Sequence, residues 1–329
     1  MANWNTSSLA DAVKTYYEDR LLTRAQPRLV HGRWAMKAKF KGGNIYELRR
    51  YAALTAATNP LVEGSNPTED VAPALTVINI QPLWYGAFMR FTEQFQMQSF
   101  DPVVSNMSGL LGEQAGLTMD TLIRTAITDG ATADFAGGAT ARTGIDTSND
   151  KISYVDIVQN IALLEASNAL PVDGEDFIMI IHPHTWATLM QDSTFVTLFT
   201  REGGGPIRSG YVGRFMRCKV FVSANGRIYV DGGTSSADVY ACLFIGAESY
   251  GVAGMVGKMF DLDVDAGGPD SGPLTGREIK PVELIVKDLG VGGDDPLNLR
   301  GSAGWKATQQ EAVLQALWIR NLEHANDFS

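Results

Sequence analysis

Between residues 40 and 88 the chain alternates apolar and polar side chains with the period of a strand, turns, and alternates again. Ile45, Tyr46, Leu48, Tyr51 and Leu54 mark an outgoing arm, residues 59–73 are rich in proline and acid, and Leu75, Val77, Ile78 and Ile80 mark a β-branched return that Gln81-Pro82 ends. The pattern predicts a long hairpin. Arms of roughly 15 residues at ~3.3 Å per residue reach about 50 Å, the width of a small domain. Two strands alone are marginal in water, so this hairpin needs a surface belonging to another copy of the chain.

The period then changes. Asp101-Pro102 has the form of an N-cap with proline at the first helical position, and Val104, Met107, Leu111, Ala115, Met119, Leu122 and Ala126 make one apolar stripe that Asp129-Gly130 stops. A helix of about 26 residues, ~40 Å long, is predicted, weakened by Gly109, Gly112 and Gly116. Residues 131–150, rich in Ala, Gly and Thr, read as a long loop or weak hairpin. Ser153 and Asp156 form a capping box for a helix with Tyr154, Ile157, Ile161 and Leu164 on one face, ending near Pro171. Residues 177–181 are a fully apolar strand, 183–190 and 193–199 short helices, 203–213 a glycine-rich loop, and 220–222 and 239–245 further strands. Residues 259–264 alternate apolar and acidic positions and are expected to pair with 279–287 across the loop 266–276. An exposed Gly/Asp-rich connection is expected at 290–304. Residues 305–322 fit strand or helix, with Gln, Glu and Ala favouring helix. No internal repeat is visible.

Charge adds an asymmetry that the net value of −10 hides. Residues 1–50 carry ten Lys/Arg against four Asp/Glu, which leaves 17 against 33 on the rest. A basic arm is joined to an acidic body. Arg20, Arg24, Arg28, Arg33, Lys37, Lys39 and Lys41 form either a solvated face or a strip lying across the acidic body of a neighbouring subunit. Specific nucleic-acid binding is disfavoured, because the body repels a polyanion and no basic patch in the sequence is interleaved with stacking aromatics. With 329 residues, 45% of them hydrophobic and 19% charged, the chain buries a substantial core as one large or two modest domains. No apolar run approaches the ~18 residues of a membrane span. Residues 1–6 have neither the basic nor the apolar region of a secretion signal. Cys218 and Cys242 sit in strand-like runs and read as buried reduced thiols, which fits a reducing cytoplasm.

Candidate chemistry is sparse. His182 and His184 follow a strand, but alternate residues of an extended chain point to opposite faces, and His31 and His324 fall in peripheral segments, so all four read as structural or surface histidines. The run from Gly246 to Gly251 resembles a nucleophile elbow, yet its first glycine stands three residues before Ser249 instead of two. Asp261, Asp263 and Asp265 have calcium-loop spacing, but Ala266 replaces the turn glycine and Gly272 the closing glutamate. Gly203-Gly204-Gly205-Pro206, with Arg201, Arg208 and Arg214 nearby, lacks both a following Gly-Lys-Ser/Thr and a dinucleotide fingerprint, and reads as a contact loop. No catalytic residue, metal or cofactor is expected. The unusual features are the arm, the hairpin and the glycine-rich tips, which are features of assembly.

That order of parts, a basic arm, a long hairpin, a long helix, a compact α/β section and a returning β segment, resembles the major capsid proteins of tailed phages, with the α+β Hong Kong 97 fold. Pro60-Leu61-Val62-Glu63-Gly64, Gln81 to Gly86, Ile181-His182-Pro183 with Leu189 and Asp192-Ser193-Thr194-Phe195, and Asp295-Pro296-Leu297 with Gly304-Trp305-Lys306 are similar to the coliphage N-four type capsid family. The resemblance spans nearly the whole chain. It implies an N-terminal arm at 1–39, an extended hairpin loop over a neighbouring subunit at 40–100, a peripheral domain with a spine helix at 101–150, an axial domain at 151–254 and a return to the peripheral domain at 255–329. Implied inter-subunit contacts are Arg24, Arg28, Arg33 and Lys37 of the arm, Leu61, Glu63 and Gly64 of the hairpin, and Arg201, Gly204 and Arg208 near the centre of a hexamer or pentamer. The implied function is self-assembly through hexamers and pentamers into an icosahedral shell around a double-stranded DNA genome, in the host bacterial cytoplasm. Expected partners are other copies of the chain, with portal, separate scaffolding and decoration proteins, and DNA held only non-specifically; no membrane is expected. A built-in scaffolding segment is not expected. Two alternatives stand beside this reading: an encapsulin-like compartment of the same fold, and a soluble α/β ligand-binding protein or enzyme using the 203 loop and His182.

Overall fold

The computed structural model describes residues 30–40, 45–51, 73–98, 103–201, 211–255, 283–287 and 299–328, with isolated positions between 54 and 64. The first half of the chain contains β1 (Met36–Phe40), β2 (Tyr46–Tyr51), β3 (Leu75–Ile80), β4 (Leu83–Thr92), α1 (Glu93–Gln98), α2 (Val103–Gly130), β5 (Thr132–Phe135) and α3 (Tyr154–Ala166). There follow β6 (Phe177–Ile181), α4 (Pro183–Leu189), α5 (Ser193–Arg201), β7 (Tyr211–Phe215), β8 (Cys218–Val222), β9 (Ile228–Tyr229), β10 (Val239–Ile245), β11 (Tyr250–Met255), β12 (Glu283–Lys287), β13 (Arg300–Val313) and β14 (Ile319–His324).

Among the described residues the strands make three sheets. The largest has seven strands in the order β5-β14-β10-β6-β8-β7, with β9 also on β10. Its centre is the pair of unbroken apolar runs, Phe177 to Ile181 and Val239 to Ile245, every residue of which is buried. Such runs belong to strands covered on both faces. On one face Ile157, Ile161 and Leu164 of α3 pack with Phe177, Met179, Cys242, Phe244 and Leu322. On the other, Ile123 and Ile127 of α2 meet Ile178, Ile180, Leu243 and Ile245. The predicted capping box closes α3: the Asp156 carboxylate accepts both the Ser153 amide at 2.9 Å and its hydroxyl at 2.7 Å. Cys218 and Cys242 are buried free thiols.

A second sheet is built around β13. It pairs with β11 and β12 along one edge and with ten residues of β4 along the other. The first half of α2 covers one face, where Leu111, Ala115 and Met119 pack on Ala303, Trp305 and Ala307. One 28-residue helix, ~42 Å long, therefore bridges both sheets. Gly109, Gly112 and Gly116, which weaken the isolated helix, are buried in this packing. The third sheet is the hairpin β2-β3.

Several expectations change. The hairpin forms, but its described ladder has six residue pairs, Tyr46↔Ile80 to Tyr51↔Leu75, and the chain resumes as β4 two residues later. Residues 83–92 thus belong to the β13 sheet. Residues 300–304, expected within an exposed connection, and 305–313, where strand and helix both fit the sequence, form one 14-residue strand, and 319–324 is another, so the strand alternative holds over most of 305–322. Local helix preference gives way to a strand position between β4 and β11/β12, covered by α2. The described part of 279–287 pairs with β13, Glu283 opposite Lys306; its expected partner, 259–264, lies outside the described residues. Residues 132–135, within a stretch expected as a long loop or weak hairpin, make an edge strand parallel to β14.

Candidate assembly surface

The hairpin is anchored at its base and bare along its length. Leu48, Ile78 and Ile80 pack on Ala253 and Ala312, and the Arg50 guanidinium donates to the Leu314 carbonyl at 2.7 Å. On the opposite face of the ladder Tyr51 is 65% exposed, with Leu75 and Val77 also open to solvent. The described tip positions Glu63 and Gly64 are exposed, and Gly64 has φ +83°, a left-handed conformation that glycine adopts without steric cost.

A second bare surface lies on the β4-β13-β12 sheet, opposite α2. The pleat of β4 turns Tyr85, Ala87, Met89 and Phe91 inward and Trp84, Phe88 and Arg90 outward. Trp84 is 58% and Phe88 63% exposed. The Arg90 guanidinium sits over the Phe88 ring, 5.2 Å from its centroid. Two neighbouring depressions open on this face, of about 350 and 400 Å³, the first lined by Arg90, Thr92, Phe95 and Arg300, the second by Gly86, Phe88, Ile285, Lys287, Ser302 and Gly304. Phe95 of α1 extends the apolar patch. Single exposed apolar side chains are ordinary, but clustered aromatics rimmed by cations mark a contact surface.

The sequence-derived contact residues are placed as follows. Arg33 is half-buried in the turn before β1, its guanidinium pKa lowered by burial against the pull of Asp120, and Lys37 is exposed on β1, which pairs with β11 of its own chain. Glu63 and Gly64 stand at the hairpin tip, and Arg201 ends α5. Arg24, Arg28, Leu61, Gly204 and Arg208 lie outside the described residues. Gln81-Pro82 interrupts the strand pattern ahead of β4, so the only sequence signal for its outward residues is the alternation from Trp84 to Arg90, and Phe95, Lys287 and Arg300 join that face only through the fold.

Two histidine expectations are overturned. His31 is fully buried, its Nδ1 2.8 Å from Asp120 Oδ2 on α2. Asp120 also accepts the Val30 and His31 amides, each at 2.8 Å, and Asn225 Nδ2 at 2.7 Å. Burial alone raises this carboxyl; the charge and hydrogen bonds of His31, with Asn225, hold it below its ordinary value. His324 is buried as well, and the His182 and His184 rings meet edge to face at 4.6 Å, because the chain turns into α4 at His182 instead of staying extended. Among the described residues no group of three or more His, Cys, Asp or Glu side chains is placed to hold a metal ion. The Ser249 hydroxyl is buried and donates to the Gly246 carbonyl at 2.7 Å.

Comparison with known proteins sets this geometry in context. A family model described as phage capsid protein matches residues 75–307. No curated protein matches the chain in sequence. Among solved structures, the capsid of Ralstonia phage GP4 is 11% identical with a TM-score of 0.66, covering 92% of this chain and 90% of its own. The capsid of cyanophage Pam1 is 13% identical with a TM-score of 0.62 and 93% coverage of both chains, and that of cyanophage P-SCSP1u 14% identical with a TM-score of 0.60, covering 91% and 89%. The shared fold extends across almost the whole length of each.

Proposed function

The chain belongs to the phage capsid protein family, and from that membership we propose how its two bare surfaces join one copy to the next. It is a structural protein of the virion, a major capsid protein of the Hong Kong 97 fold that self-assembles into the shell enclosing the phage genome. In the proposed arrangement the β2-β3 hairpin of one subunit lies on the outward face of β4, β12 and β13 of its neighbour. Tyr51, Leu75 and Val77 supply apolar area; Trp84 and Phe88 receive it. Arg90, Lys287 and Arg300 face the acidic segment 59–73, which carries Glu63, Glu69 and Asp70. The arm before residue 30 and the loop 202–210 add further contacts, the latter around the centres of hexamers and pentamers. Portal, separate scaffolding and decoration proteins complete the particle, and assembly takes place in the host cytoplasm.

The observation that supports this reading is the mismatch within one chain: a two-stranded ladder whose uncovered side carries Tyr51, Leu75 and Val77 beside the Glu47–Arg49 ion pair, and a sheet with exposed aromatic side chains. Each is unfavourable alone and both are relieved by contact between copies. A standard interface buries ~1,600 Å², and several modest contacts per subunit close a shell without any one being tight. Deletion of residues 55–73 is expected to leave a folded subunit, with unchanged circular dichroism, that sediments as small species. Normal shells from the deletion would remove the hairpin from this role.

A further inference from the structure

Three imidazoles converge behind residues 325–328. His182 closes the start of α4, its Nδ1 accepting the His184 amide at 3.2 Å, which fixes the neutral form with the proton on Nε2. The Nδ1 of His184 lies 3.0 Å from the Tyr240 hydroxyl, and its ring stacks on Phe328 with centroids 4.5 Å apart. His324, at the end of β14, has Nδ1 2.8 Å from the Ala325 carbonyl, which can only accept, and Nε2 3.3 Å from the Thr185 hydroxyl. The Tyr240 ring lies between, 5.3 Å from His182 and 6.3 Å from His324. Residues 325–328 are also tied by the Ala325 amide to the Asp150 carbonyl at 2.9 Å, by Asp327 to Lys151 at 2.5 Å, by the Asp327 amide to the Thr188 hydroxyl at 3.4 Å and by the Asn326 side chain to Tyr240.

We propose that His182 and His324, with the His184 ring as the surface on which Phe328 stacks, form a proton-operated latch that seats residues 325–328 on α4 when the two are neutral and releases them when they are protonated. Protonation of His182 puts a second donor against the His184 amide and breaks the cap. Protonation of His324 sets a cation in a fully buried site. The charged groups around the cluster are committed elsewhere: Asp327 to Lys151, Glu323 to Arg142, and Asp150 and Asp238 to the amides of Asp146 and Asp231. On the β8–β9 turn, Gly226 packs against His182 and is followed by Arg227, which adds a cation and no acceptor of charge. Release also frees the Asp150 carbonyl and the Lys151↔Ala325 bridge, and so loosens the loop before α3.

Burial, with His184 beside it, holds His182 down to about 4, and burial holds His324 down to about 4. Both values lie below the ordinary 6.5, so the unfolded chain binds more protons; the stabilisation is whole above pH 6.5 and is lost as pH falls through about 4. The test is hydrogen exchange of the full chain, read by mass spectrometry on a peptide spanning 319–328 and corrected for intrinsic rates, from pH 7 to pH 4. Protection is expected to fall about tenfold or more, while the peptide carrying β6 keeps its own. A double variant, His182→Asn (still a cap) with His324→Gln, is expected to flatten the profile. Phe328→Ala, at a half-exposed ring, is expected to move the loss to higher pH without threatening the fold. Undiminished protection at pH 4, the wild-type profile in the double variant, no shift in Phe328→Ala, or NMR titrations of the His182 and His324 imidazoles near 6.5 would each overturn the latch.

Discussion

Asp120 is the residue on which most distant segments depend. Its carboxylate takes donors from the turn before β1, 89 and 90 residues away, and from Asn225, 105 residues away. Asp120→Ala leaves those buried donors without an acceptor, and a cost of about 3–5 kcal/mol is expected, read as a lower urea midpoint at constant m. The pH sign follows from its depressed pKa. The stabilisation is complete above the ordinary carboxylate value of 3.8 and is lost as pH falls through the lower folded value, so Asp120→Asn is expected to be less stable at pH 7 and to lack this step in its acid unfolding curve. Nothing in the sequence marks this residue, because the donors that reach its carboxylate lie 89, 90 and 105 residues away along the chain. The buried histidines were hidden for the same reason: His31 looks peripheral until α2 is placed beside it.

At the scale of elements, the pairing of β4 with β13 decides the architecture around the proposed contact face. A Cβ on Gly86 would stand 2.6 Å from the Trp305 carbonyl oxygen, a backbone atom that cannot turn aside. Gly86→Ala is therefore expected to cost about 1–3 kcal/mol in thermal or chemical unfolding and to reduce shell formation in proportion. The elements with strong local signals were legible: α2 from its stripe and Gly130 stop, α3 from its capping box, β6 and β10 from unbroken apolar runs, and the two arms of the hairpin from their alternation. β13 was not, because Gln309, Gln310, Glu311 and Ala312 carry helix preference and Gly301 and Gly304 carry none for strands. Its ten-residue ladder with β4 and the cover of α2 supply what the local sequence lacks. β4 was obscured by the proline at its entrance, although the alternation from Trp84 to Arg90 carries the signal for its outward face.

On the scale of the whole molecule, the sequence showed a chain equipped for assembly and without evident chemistry, and the fold adds where the surfaces lie. Phe88→Asp places a charge on the outward face without entering the core. Stability is expected to stay within about 0.5 kcal/mol of the parent while the yield of particles falls about tenfold or more, seen by sedimentation. Low salt is expected to favour the contact, since Arg90, Lys287 and Arg300 face an acidic partner in the proposed arrangement. The most direct measurement is electron cryo-microscopy of particles assembled from the full chain, at a resolution that traces the hairpin. The account predicts the β2-β3 hairpin of each subunit seated on Trp84, Phe88 and Arg90 of a neighbour. A shell in which that face stays bare, or in which each hairpin folds back on its own subunit, would contradict it.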